Sequence, residues 1–105
     1  MIDILVIRNL CRDETISATK HFADRLIQRK IRYDDVLMVI MNGEIVEEYP
    51  TAYPYPCALF LGYSCCDKPL HVVAGTDGSE LWLITAYYPN IDQWDNDFKL
   101  RRAAD

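Results

Sequence analysis

The four cysteines of this 105-residue chain form no C-x-x-C pair, and two of them, Cys65 and Cys66, are adjacent. Zinc ligands come in pairs two to four residues apart, so that they converge tetrahedrally; no metal site and no cofactor is expected here. No apolar run approaches the roughly 20 residues that cross a bilayer, and the N-terminal stretch is interrupted by Asp3 and Arg8. With no secretory signal pattern and with free thiols, the expected compartment is the cytoplasm, away from any membrane. Excess positive charge is also missing. A net charge of −5 excludes broad, non-specific nucleic-acid binding, though not a local basic cleft. The G-x-S-x-G elbow, the phosphate-cradling glycine loop and the H-E-x-x-H helix are all absent. A cysteine nucleophile is disfavoured too: Cys57 lies in an apolar run where its thiolate is unstable, and only Cys65 or Cys66 is placed for exposure.

What is present suits one domain over residues 1–105, half of it apolar, with enough core to fold without staples. Ile2, Leu5, Val6 and Leu10 recur at helical spacing, predicting a helix over 2–12. Ser17 is placed to cap a second helix running to about Lys30. A third spans Tyr33 to Asn42, with Asp34 and Asp35 at its positive end and Asn42-Gly43 as a left-handed stop. The period then changes from helical to alternating. Strands are expected near 44–49, 57–64, 70–77 and 80–88, with Asp77-Gly78 as a tight hairpin turn. Tyr53-Pro54-Tyr55-Pro56 can only be a connection. The predicted fold class is α+β, with N-terminal helices packed on one face of a four-stranded antiparallel meander. The polar end, Pro89 to Asp105, is expected to carry at most a short helix, pinned by Trp94 and Phe98.

The two histidines, His21 and His71, are the most chemically suggestive residues. His21 shares a helical stripe with Arg25 and Arg29, beside the apolar arc of Phe22, Ala23, Leu26 and Ile27. Those arginines either serve a site or lay their stems on the core and pair with nearby acids. His71 alternates with Leu70 and Val72 and so faces away from them. Thr85 and Tyr87 share one face of the last strand, with Trp82, Ile84 and Ala86 on the other. The seven tyrosines favour stacking and partner contact where they are exposed.

The string from His21-Phe22-Ala23-Asp24-Arg25-Leu26 through Asn42-Gly43-Glu44-Ile45-Val46-Glu47-Glu48-Tyr49-Pro50 resembles a family of small, mostly bacterial proteins, domain of unknown function four-two-five-eight. Pro56-Cys57-Ala58-Leu59-Phe60-Leu61-Gly62, Lys68-Pro69-Leu70-His71-Val72-Val73, Ile84-Thr85-Ala86-Tyr87-Tyr88-Pro89 and Trp94 through Arg101-Arg102 continue the resemblance. It divides the chain into a helix and linker over 1–15 and the family domain over 16–102. That family is similar to the RelE, MqsR and barnase-like toxins. The resemblance implies their fold, metal-independent RNA cleavage and an antitoxin-like protein partner encoded alongside. Carried over by position, its recurrent polar residues are His21, Arg25, Arg29, His71, Thr85, Tyr87 and Arg101. Two departures stand out: a sequence pI near 4.9, where ribonuclease toxins are usually basic, and Arg32 where a capping hydroxyl is common.

The leading expectation is a toxin-like endoribonuclease. His21 and His71 would act as acid and base in an unassigned order, with Tyr87 as the third catalytic group. Arg25, Arg29, Thr85 and Arg101 would bind substrate. The alternatives are a non-catalytic protein-interaction module and a small-anion binding domain.

Overall fold

The computed structural model describes residues 2–101; Arg102 and the rest of the expected tail lie outside the described residues. The elements run α1 (Ile4–Arg12), β1 (Ile16–Ala18), α2 (Lys20–Arg29), α3 (Tyr33–Asn42), β2 (Glu44–Tyr49), β3 (Cys57–Tyr63), β4 (Pro69–Thr76) and β5 (Leu81–Tyr87). The class is α+β, but the sheet has five strands in the order β1-β5-β4-β3-β2 and is mixed rather than wholly antiparallel. β2 to β5 form the expected meander. The added strand, β1, pairs parallel with β5, matching Ile16 to Leu81 and Ala18 to Leu83.

β1 corrects the expected helix start. Ser17 is a strand residue whose hydroxyl donates to Glu80 at 2.9 Å. Thr19 caps α2 instead, accepting from the Phe22 backbone N–H at 3.1 Å. A three-residue strand is too short to show a period, so its signal was hidden inside a capping pattern. The far end of α2 closes on Lys30 in the left-handed conformation. By contrast, Gly43 after α3 is extended, with φ −81° and ψ −168°, so the expected left-handed stop is absent there. Glycine is needed at 43 for another reason: a Cβ would sit 2.4 Å from the Leu61 carbonyl oxygen and 2.5 Å from that of Val39.

The three helices among the described residues lie on one face of the sheet. Ile7 and Cys11 of α1, Phe22 and Leu26 of α2, and Val36, Val39 and Ile40 of α3 meet Phe60, Leu70, Val72, Leu81, Leu83 and Ala86. Burying a side chain such as Phe22 or Leu26 stabilises the fold by about 1.5–3 kcal/mol each. The buried stripes are narrower than the sequence suggests, for Leu5 of α1 and Ile27 of α2 are solvent-exposed. The four-residue loop 77–80 that joins β4 to β5 is held by the Asp77 carboxylate, which accepts from the backbone of Ser79 and Glu80.

Among the described residues no helix covers the opposite face, which carries Cys57, Leu59, Leu61 and His71. Among the described residues the segment after β5 contains no helix; it crosses this face in turns, with an isolated bridge between Trp94 and Arg101. Trp94 is 1% exposed, so it anchors the segment as expected, while Phe98 is half-buried.

Candidate functional site

His71 of β4 pairs with Tyr87 of β5 across the sheet, both side chains on the face away from the helices. The imidazole is fully buried. Its Nε2 lies 2.8 Å from the Phe98 carbonyl oxygen and therefore carries the proton, since a carbonyl can only accept. That leaves Nδ1 as acceptor for the Tyr87 hydroxyl at 3.3 Å. Trp94 and Tyr87 both meet the imidazole edge-on, with centroids at 4.5 and 5.3 Å. Burial holds the His71 pKa below the ordinary histidine value and outweighs the Phe98 carbonyl and Glu47, which pull it up; Arg101 pushes the same way as burial. His71 is therefore a neutral base at neutral pH.

Beside this pair lies an ionic cluster. Glu47 of β2 accepts from Arg101 Nε at 2.9 Å and Nη2 at 3.2 Å, a bidentate pairing, and also from the Tyr49 hydroxyl. Burial alone would raise the Glu47 pKa, but these donors hold it below the usual carboxylate range. Tyr49, covered and bonded to that carboxylate, is pushed up to about 12. Arg101 also lies over the Trp94 ring, 4.6 Å from its centroid. Tyr87 is raised by burial and Glu47, while Arg101 and Arg29 oppose that rise; both guanidiniums therefore act on its hydroxyl.

Arg29, at the C-terminal end of α2, reaches the edge of β5. Beyond its short pairing with β1 that edge is open, and Arg29 Nη1 donates to the Ala86 carbonyl at 2.8 Å and to the Thr85 hydroxyl at 3.4 Å. Of the residues singled out from sequence, the structure thus gathers His71, Tyr87 and Arg101 on one face, with Thr85 and Arg29 at its rim. It does not bring His21 and Arg25 to them. His21 is exposed on α2, across the sheet from His71, and its Nε2 accepts from Arg25 Nε at 3.2 Å. Among the described residues neither Arg25 nor Arg29 is paired with a carboxylate.

Sequence reading missed Glu47, Tyr49 and the covering role of Trp94. Alternation within Glu44–Tyr49 held part of the signal, but the bulge between Ile45 and Glu47 changes which residues share a face. The arrangement can move a proton from a group touching Tyr87 to His71, with Arg29 and Arg101 lending positive charge to the Tyr87 hydroxyl. Among the described residues no three His, Cys, Asp or Glu side chains cluster so as to hold a metal ion. No helix among them is long and apolar enough to cross a membrane.

No curated protein and no solved structure matches this chain. One family does, over residues 18–88, a span that runs from the end of β1 to just past β5 and takes in His71, Tyr87, Glu47 and Arg29. The chain belongs to that family, described as Domain of unknown function (DUF4258).

Proposed function

We propose that this domain is a toxin-like, metal-independent endoribonuclease acting at Tyr87 on the face of the sheet away from the helices. The observation that carries the reading is the Tyr87–His71 pair, a half-buried phenol donating to a buried neutral imidazole, with the charges of Arg101 and Arg29 acting on the phenol. An RNA 2′-hydroxyl seated against Tyr87 passes its proton to the phenol oxygen as the phenol proton moves to His71 Nδ1. The freed 2′-oxygen attacks the adjacent phosphorus, and the 5′-oxygen departs with a proton from solvent. Arg29 and Arg101 offset the charge that builds on the phosphorane. Tyr87 is the catalytic residue in this scheme; His71 acts through it, Thr85 aims Arg29, and Glu47 aims Arg101. His21 and Arg25 would contact flanking phosphates. The resemblance to RelE-like and barnase-like toxins supports the reading and points to an antitoxin-like protein as partner.

A second reading, a non-catalytic interaction module, draws on Glu47 already occupying Arg101 and on the net charge of −5. The deciding experiment is incubation of antitoxin-free protein with RNA in EDTA. Cleavage leaving a 2′,3′-cyclic phosphate, and a loss of about a hundredfold or more in Tyr87→Phe, is the expected result. Intact RNA together with no growth arrest on expression would transfer the site to the interaction reading.

A further inference from the structure

The β5 bulge has a chemical consequence. Val73 pairs with Thr85 but Ala74 pairs with Leu83, so Ile84 is the extra residue. This turns Trp82, opposite Gly75, onto the same face as Thr85 and Tyr87, correcting the simple alternation that set Trp82 apart from them. Tyr55 stacks on Trp82, with ring centroids 5.9 Å apart and planes inclined by 26°. The connection between β2 and β3 closes over this end of the strand. Tyr53, Pro54 and Tyr55, with Trp82, Ile84 and Thr19, line a cavity of 390 Å³. Tyr53 leaves 95% of its surface in solvent. Among the described residues, Trp82 Nε1 is the buried side-chain donor with no partner. An unmade hydrogen bond of that kind costs about 1–3 kcal/mol, which a planar ligand bearing an acceptor and seated beside the Trp82–Tyr55 stack would recover.

We infer that this cavity is a base-binding subsite, taking one nucleobase of a single-stranded RNA against Trp82 and Tyr55 while the strand follows β5 toward Arg29 and Tyr87. The choice of ligand rests on the ribonuclease reading. Trp82 and Tyr87 are five positions apart on the strand, at most about 16 Å at about 3.3 Å per residue with the bulge between them, which a short run of nucleotides spans. α2 flanks the same edge, with Thr19 at the cavity and Arg29 at Ala86. Arg25 and Arg29, free of carboxylate partners among the described residues, supply the positive charge a phosphate backbone needs. A proline-rich peptide also suits aromatic grooves, but nothing in it would answer that basic stripe. Base stacking on such rings is tolerant of base identity, so the subsite adds affinity and register with little sequence preference.

The test uses the full chain and a fluorescent 2′-O-methyl RNA hexamer, whose blocked 2′-oxygens prevent cleavage, beside a matched abasic strand. Anisotropy is expected to show the base-bearing strand binding at least about fivefold more tightly, the effect of one stacked base. That advantage disappears in Trp82→Leu and in Tyr53→Ala, the latter at a position too exposed to threaten folding, and is reduced but not abolished in Trp82→Phe, which keeps a stacking ring and loses the Nε1 donor. Equal binding of the two strands, binding of neither, or preference for a proline-rich peptide would overturn the subsite. Cleavage is read separately on unmodified RNA. Base-dependent binding without cleavage would overturn only the ribonuclease reading, and cleavage with equal binding of both strands only the subsite.

Discussion

Removing the single oxygen of Tyr87 tests the centre of the site most directly. In Tyr87→Phe the ring and its edge contact with His71 stay, while Nδ1 of the buried imidazole loses its donor. Leaving a buried acceptor unsatisfied costs about 1–3 kcal/mol. The 3.3 Å separation is long for such a bond, which places the expected loss near the bottom of that range, about 1 kcal/mol. Urea denaturation at pH 7.5 reads this as a lower midpoint with an unchanged slope, and thermal melting as a fall of about 4–8 °C. A second readout separates this bond from general loosening. The phenol donates to the neutral imidazole, so its removal raises the His71 pKa, measurable by NMR titration of the ring. A variant that unfolds at the wild-type urea concentration and titrates at the wild-type pH would refute the assigned tautomer and the proton relay built on it.

The remaining expectations concern the fold around the site. His71 has its folded pKa below the ordinary 6.5, so the unfolded chain binds the extra proton first; its contribution to stability is full above pH 6.5 and is lost as pH falls below it. Glu47, lowered from 4.5, adds a second loss as pH falls below that value, so melting temperature measured from pH 7.5 downward should decline in two stages, the first missing in His71→Phe. Trp94→Ala should cost about 3–5 kcal/mol in urea titration, and hydrogen exchange should show segment 89–101 opening and His71 reached by solvent. Gly43→Ala should destabilise by about 1–3 kcal/mol, since the new Cβ meets two backbone carbonyls that cannot turn aside. Under native conditions a thiol reagent should titrate the exposed Cys65 and Cys66 and spare the buried Cys11 and Cys57.

Much of the fold was legible in local patterns. The bounds of α3 and of the meander strands follow from period and turn residues, because each element satisfies its own backbone and buries one face. Where the reading failed, a tertiary partner had overruled a local signal. Ser17 has the chemistry of a cap, yet Leu81 and Leu83 draw its segment into a parallel pairing that no local rule announces. Gly43 resembles a turn glycine, but the approach of β3 is what requires it. The site divides in the same way. His71, Tyr87, Thr85, Arg29 and Arg101 carry chemistry recognisable from residue type and from the family pattern, whereas Glu47, Tyr49 and Trp94 take part only because two distant segments fold onto one sheet face.

The sequence by itself determined the class of fold, the helical and alternating periods, and the supply of reactive side chains, since these depend on neighbours a few residues apart. Tertiary structure decided which of those side chains meet. It set His71 beneath Trp94 and left His21 in solvent, although the two histidines look equivalent on the page. It turned Trp82 toward Tyr87 through one inserted residue, and it joined Glu47 to Arg101 across 54 positions of chain. The physical reason is common to all three. Burial and hydrogen-bond pairing across a sheet are set by register, and register follows from the packing of the whole core rather than from any segment alone.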